Sequence, residues 1–269
     1  MEQIHAKEGW FVSHLYFQID RALWDVLDRD EQRRGLDRFE KVLGDFKKGK
    51  NCQAYCYSIW GLKADIAVML VCPELQHLNQ IEVDLATSFG GGVLETVHSF
   101  ISMSEISEYI SQENDYDRTL REKEGLTPDS PVYQEKMGQF RERIQAYIKD
   151  RLFPQLPEHR VMCFYPMNKS RVRDANWYML DFEERKTYMA SHAITGRKFQ
   201  ATVKQLVTGS IGLDNWDWGV TLFADDPFYL KKILYDMRYD EASAKFGEFG
   251  DFYIGLQLEP RELFKRLRL

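Results

Sequence analysis

The sequence predicts an α+β fold of two ferredoxin-like βαββαβ halves, whose sheets can pack or curl into a barrel with helices outside. Three observations carry that expectation. Strand-like runs alternate with stretches of helical periodicity in the order β-α-β-β-α-β. The same order then occurs a second time. Finally, the central hairpins echo each other: Gly61-Leu62 precedes Asp65-Ile66-Ala67-Val68-Met69-Leu70, and Gly212-Leu213 precedes Asp217-Trp218-Gly219-Val220-Thr221-Leu222.

In the first half, residues 10–19 alternate as a strand with Phe11, Leu15, Phe17 and Ile19 on one face. A charged helix is expected over Arg21–Lys47, where Leu36, Phe39, Val42, Leu43 and Phe46 recur at helical spacing. Gly49 and Asn51 break it. Strands then read over Cys52–Trp60 and Asp65–Val71, around a turn at Gly61-Leu62-Lys63. Pro73 opens a helix over Glu74–Ser88, the glycines 90–92 end it, and Val93–Met103 is again strand-like. Gly90-Gly91-Gly92 is no phosphate loop, because it follows a helix and lacks the Lys-Ser/Thr that such a loop needs.

Ser104–Glu158 connects the halves, so the chain divides at about 1–110, 111–158 and 159–269. Tyr133–Leu152 reads as a helix with Met137, Phe140, Ile144 and Ile148 on one face. The acidic part near 112–130 reads as solvated and mobile. In the second half, Arg160–Phe164 is a strand, and Pro166 lacks a backbone donor and is expected to end its pairing. Asp181 and Glu184 make a capping box for a helix running to about Ile194, with Gly196 as its stop. Strands follow over Gln205–Ile211 and Trp216–Ala224. Asp226-Pro227 starts a helix, and Phe252–Leu258 closes the set.

Hydrophobic residues make up 44% of the 269, enough for a sizeable core, and the 14% aromatic content suits a flat apolar ligand or dense packing. A net charge of −6 argues against a nucleic-acid partner. No apolar run reaches the roughly 20 residues of a membrane span. Met1-Glu2-Gln3-Ile4-His5 does not open a signal peptide, so a cytoplasmic location is expected. Cys52, Cys56, Cys72 and Cys163 form no Cys-x-x-Cys and are read as reduced core thiols. Neither a disulfide nor a zinc site is expected. The histidines 5, 14, 77, 98, 159 and 192 include no His-Glu-x-x-His, which excludes the common zinc hydrolases.

The most informative stretch is Phe164-Tyr165-Pro166-Met167-Asn168-Lys169, followed by His192 on a helix and Gln205 at the next apolar run. With Trp218-Gly-Val-Thr-Leu-Phe-Ala-Asp-Asp-Pro227 and Met237-Arg-Tyr-Asp-Glu-Ala-Ser243, it resembles the coproheme decarboxylases of the chlorite dismutase superfamily over about residues 151–258. The resemblance implies a dimeric α+β barrel, usually assembled as a homopentamer. It implies hydrogen peroxide-dependent oxidative decarboxylation of iron coproporphyrin III (coproheme), at once substrate and redox cofactor, to haem b. It also implies a connection that covers the substrate pocket.

Residue by residue, the resemblance makes His192 the axial iron ligand and Tyr165 the redox-active phenol, whose radical takes hydrogen from a propionate β-carbon. It makes Lys169 a propionate anchor beside Tyr165, with Arg151 and Ser243 as further substrate contacts. Read alone, each has a plainer role: Tyr165 and His192 in a core, Lys169 and Ser243 on a surface, and Arg151 as a cation at a helix C-terminus. Gln205 stands where chlorite dismutases carry an arginine that steers the anion; a neutral amide there points to the decarboxylase branch. The rival readings are a chlorite dismutase or peroxidase of the same superfamily, and a haem-binding carrier without turnover.

Overall fold

The computed structural model describes residues 3–269. The first half contains β1 (Phe11–Ile19), α1 (Arg21–Val26), α2 (Arg29–Lys47), β2 (Gln53–Trp60), β3 (Ile66–Cys72), α3 (Leu75–Ala86) and β4 (Leu94–Ser104). The helix expected from residue 21 is two helices. Asp28 caps α2 in a capping box with Glu31, and its extended backbone breaks the helical run there. α4 (Glu113–Glu122) and α5 (Pro131–Leu152) make the connection. The second half holds β5 (Val161–Lys169), a small hairpin of β6 (Arg171–Val172) and β7 (Ala175–Asn176), and α6 (Phe182–Arg197). It continues with β8 (Lys204–Gly209), β9 (Trp218–Ala224), α7 (Pro227–Met237), α8 (Glu241–Phe246), β10 (Gly247–Phe249), β11 (Tyr253–Gln257) and α9 (Pro260–Leu267).

Each half forms an antiparallel four-stranded sheet, in the order β2-β3-β1-β4 in one and β11-β5-β9-β8 in the other. The two sheets join at both edges. Tyr57–Trp60 of β2 pairs with β11, and Met103 and Ser104 of β4 pair with Gly209 and Thr208 of β8. Eight strands therefore close into a barrel that leaves no free edge between the halves.

Closure explains why β1 is apolar on both faces. Phe11, Leu15, Phe17 and Ile19 meet Phe39, Leu43, Leu78 and Leu85 of the outer helices. Val12 and Tyr16 point into the barrel, among Tyr57, Met69, Phe100, Phe164, Phe223 and Tyr253. His14 also lies inside, stacked 4.1 Å from Phe164, with Nε2 2.9 Å from Thr221 Oγ1. Burial, helped by nearby His98, pushes its imidazole down to about 3, so it stays neutral.

Two local expectations are corrected. Residues 112–130 include a helix: Leu120 of α4 is buried against Tyr133 and Met137, and Tyr116 stacks on Phe140 at 4.4 Å. That apolar stripe is too short to stand out among the acidic residues. Pairing also does not end at Pro166, which lies opposite Gly219 of β9. The Pro166 carbonyl accepts from Gly250 N–H at 2.9 Å on the other side, at the handover from β11 to β10. The missing donor faces that gap, so the β9 ladder is unbroken. No helix among the described residues is long and apolar enough to cross a membrane.

Candidate functional site

The outer face of the second sheet carries the candidate residues. Successive strand side chains alternate, so Cys163, Tyr165, Met167 and Lys169 of β5 share that face with Val220 and Leu222 of β9. Tyr165 is 6% exposed and stacks on Phe252 at 4.6 Å. Burial first, then nearby Cys163, raises its phenol well above the usual range, while the Arg238 charge partly opposes this.

Lys169 is 5% exposed, and its Nζ lies 4.8 Å above the Trp177 ring. No carboxylate among the described residues is within ion-pairing distance of it. Burial lowers its ammonium to about 8, against a partial upward pull from Asp240. Along an extended strand, four residues span roughly 13 Å. Tyr165 and Lys169 therefore stand at two ends of one surface rather than around a single carboxylate.

α6 packs against α7 and α8 with an unusual pattern. Its capping box is as expected, but the helix continues through Gly196 to Arg197. Gly196 is not a stop; it is the site of closest approach, where a Cβ would lie 3.2 Å from Met237 Cε and 3.5 Å from Gln205 Nε2. It is the only buried residue of α6. The helix packs on α8 and α7, while α7 packs on β9. Tyr188, Met189 and His192 are consequently left half-buried. An amphipathic helix normally buries an apolar stripe; this one does not.

His192 is held from behind. Its Nδ1 is 3.1 Å from Asp240 Oδ2, and Ser243 Oγ is 3.4 Å from the same nitrogen. Asp240 caps α8 by accepting from Ser243 N–H at 3.2 Å. Burial pushes the Asp240 carboxyl up, but hydrogen bonds from His192 and Ser243 outweigh it and the net shift is downward. An ionised Asp240 favours the tautomer with hydrogen on Nδ1, leaving the Nε2 lone pair available. That is the arrangement of an imidazole prepared to bind a metal.

Arg151 and Gln205 come together at a small cleft that also takes in Leu156, Phe223 and the Lys204–Asp150 ion pair. Gln205 Nε2 donates to the Gly196 carbonyl at 3.3 Å. Arg151 Nε is buried without a partner, a cost that an anion in the cleft would remove. The six candidates thus fall into a His192–Ser243 group near Lys169, an Arg151–Gln205 pair, and Tyr165 on the strand. Sequence reasoning misses Asp240 and Trp177. The signal for Asp240 is its N-cap position within Met237–Ser243; Trp177 offers none.

The Lys169 environment makes a test of burial that needs no ligand. Between pH 8 and 10.5 the folded state holds fewer protons than the unfolded chain, so stability rises with pH through that window. Below it, the charged buried lysine costs on the order of 3 kcal/mol. Lys169→Met should therefore be the more stable at pH 7, with the gap closing by pH 10.5 in urea denaturation. Parallel curves for both proteins would contradict the burial argument.

Comparison with known proteins agrees with the fold. Residues 32–258 match the protein family described as Chlorite dismutase. A Natronomonas pharaonis protein named, provisionally, as heme-binding is 38% identical over 262 residues, which is 96% of this chain and 40% of that protein. The chain therefore spans about two-fifths of the length of that curated relative. The structure of a heme-binding protein from Thermus thermophilus is similar with a TM-score of 0.80 and 33% identity, covering 100% of this chain and 98% of the other. A mutant chlorite dismutase from Candidatus Nitrospira defluvii shares the fold at a TM-score of 0.73 and 15% identity, over 98% of each chain.

Proposed function

The chain belongs to the chlorite dismutase family, and from that premise we propose that it decarboxylates coproheme oxidatively to haem b with hydrogen peroxide. The observation that carries the reading is the half-buried His192, backed by Asp240 and carried on a helix that leaves its own apolar side chains half-buried. A flat, apolar macrocycle with acidic edges suits such a surface. Haem-binding names among its relatives support the same chemistry.

The residues present fit the substrate. His192 would hold the iron through Nε2, with Asp240 fixing the ring and raising its basicity. Lys169 lacks a carboxylate partner and Arg151 Nε lacks any partner; each is suited to a propionate. Their separation fits a substrate with four propionates around its rim better than one small anion. Coproheme with peroxide supplies an oxidant able to take an electron from a phenol. Tyr165 loses that electron and its proton, and then takes hydrogen from a propionate β-carbon. Loss of one more electron releases carbon dioxide and leaves a vinyl group. Each propionate gives up two electrons and one peroxide accepts them, so two peroxides make the two vinyl groups. Assembly as a homopentamer goes with this reading, and sedimentation velocity measures it.

Mass analysis of the porphyrin after stepwise peroxide addition tests the activity. Successive losses that end at haem b are expected. Unchanged coproheme would favour the carrier and remove the enzyme. The dismutase alternative is disfavoured by Gln205, which brings no positive charge to a chlorite anion. Protein loaded with haem b should release little oxygen from chlorite before it bleaches. Sustained evolution in an oxygen electrode would overturn the branch assignment.

A further inference from the structure

Cys52, Cys72 and His77 converge in the first half, away from the face just described. They come from the turn before β2, the end of β3 and the first turn of α3. Cys52 Sγ is 3.2 Å from Cys72 Sγ and 3.6 Å from His77 Nδ1, and Cys72 Sγ is 3.9 Å from the same nitrogen. A tetrahedral metal with two thiolates and one imidazole needs edges of about 3.6–3.8 Å. Small rotations of the two cysteine side chains supply the difference.

The surroundings are shaped for this triangle. The turn returns on itself through Cys52 N–H donating to the Gly49 carbonyl at 3.1 Å. A Cβ on Gly49 would lie 2.8 Å from Cys52 Sγ and 2.9 Å from His77 Cε1, so any larger residue would push the two apart. Glu74 N–H donates to Cys72 Sγ at 3.4 Å, a backbone donor aimed at sulfur. Phe46 packs 4.8 Å from the His77 ring and holds its orientation. Both sulfurs are buried, while His77 and the edge of Cys52 border an open cleft with Gly49, Lys50 and Glu74.

We propose that Cys52, Cys72 and His77 bind one zinc ion, with water from the cleft in the fourth position. Zinc suits mixed thiolate and imidazole ligands. Binding forms two Zn–S bonds and one Zn–N bond and releases the two thiol protons to solvent. Two thiolates neutralise the ion, so a buried site needs no further counter-charge. Both cysteines are free and buried, as expected of core thiols, and a turn and a helix start bring them beside His77 from far apart in sequence.

Cobalt(II) titration of the reduced full chain tests the site. The expected result is tetrahedral d–d bands with thiolate-to-cobalt charge transfer, saturating at one equivalent and lost on adding zinc. Cys52→Ser and Cys72→Ser should each cut the charge-transfer band at saturation to about half and weaken binding at least about tenfold, and the double variant should abolish the band. Cys56→Ser should keep both, since its thiol lies outside the cluster. Should the variants fold poorly, the parent protein decides: zinc should protect two of its four thiols from a thiol reagent. A cobalt spectrum without sulfur charge transfer, unaltered affinity in the serine variants, or no thiol protection would overturn the proposal. So would an unreduced protein lighter by two hydrogens, the mark of a Cys52–Cys72 disulfide.

Discussion

His192→Ala is expected to lose the five-coordinate histidine spectrum of the coproheme complex. It should also weaken binding by no less than the roughly 10- to 100-fold that removing a metal ligand's supporting partner costs. The reasoning starts from the hydrogen bonds. Asp240 is buried, ionised and already occupied by the α8 N-cap, so it is a fixed acceptor that holds His192 through Nδ1. Removing the imidazole removes the bond to iron and leaves a buried carboxylate facing the gap. Added imidazole should enter that gap and restore the spectrum. Asp240→Asn separates ligand from support: the iron should still be bound, with the iron–histidine stretch at lower frequency because the imidazole is less basic. An unchanged absorption spectrum in His192→Ala would remove His192 as the ligand, whatever the affinity.

The parts of this fold that are legible in the sequence are local. The Asp181–Glu184 capping box needs only residues three apart, and the twin hairpins repeat within short windows. The closure of the barrel follows from the same repeat, because two sheets of like topology offer like edges to each other. Contacts between distant residues are not legible. Asp240 reaches His192 from 48 residues further along the chain, and Trp177 meets Lys169 only because the β6–β7 hairpin folds back. Gly196 reads as a stop because its reason, the approach of Met237 and Gln205, lies outside its own helix. The Cys52–Cys72–His77 triangle is hidden in the same way. Each cysteine reads as an apolar strand residue, and only the register between the Gly49 turn and the start of α3 makes them neighbours.

Tyr165→Phe is expected to fold, to bind coproheme, and to make no vinyl group. The substitution removes one oxygen and keeps the ring that stacks on Phe252 at 4.6 Å, so packing is conserved. The fold loses little, since no side chain among the described residues hydrogen-bonds the hydroxyl. Chemistry loses everything that depends on a phenol, because a phenylalanine ring cannot give up an electron and a proton to the same oxidant. Lys169→Ala is the informative contrast. The phenol remains, but a propionate is no longer anchored, and a misplacement of about 1 Å can cost on the order of 100-fold in rate. Because Tyr165 and Lys169 stand roughly 13 Å apart along β5, the lysine holds the substrate's rim rather than the reacting carboxylate. The three-propionate intermediate should therefore accumulate in Lys169→Ala, and coproheme itself in Tyr165→Phe. Mass analysis after each peroxide addition distinguishes the two patterns. If Tyr165→Phe forms haem b at the parent rate, the phenol is only a core residue of the barrel and the radical mechanism is wrong, even with His192 on the iron.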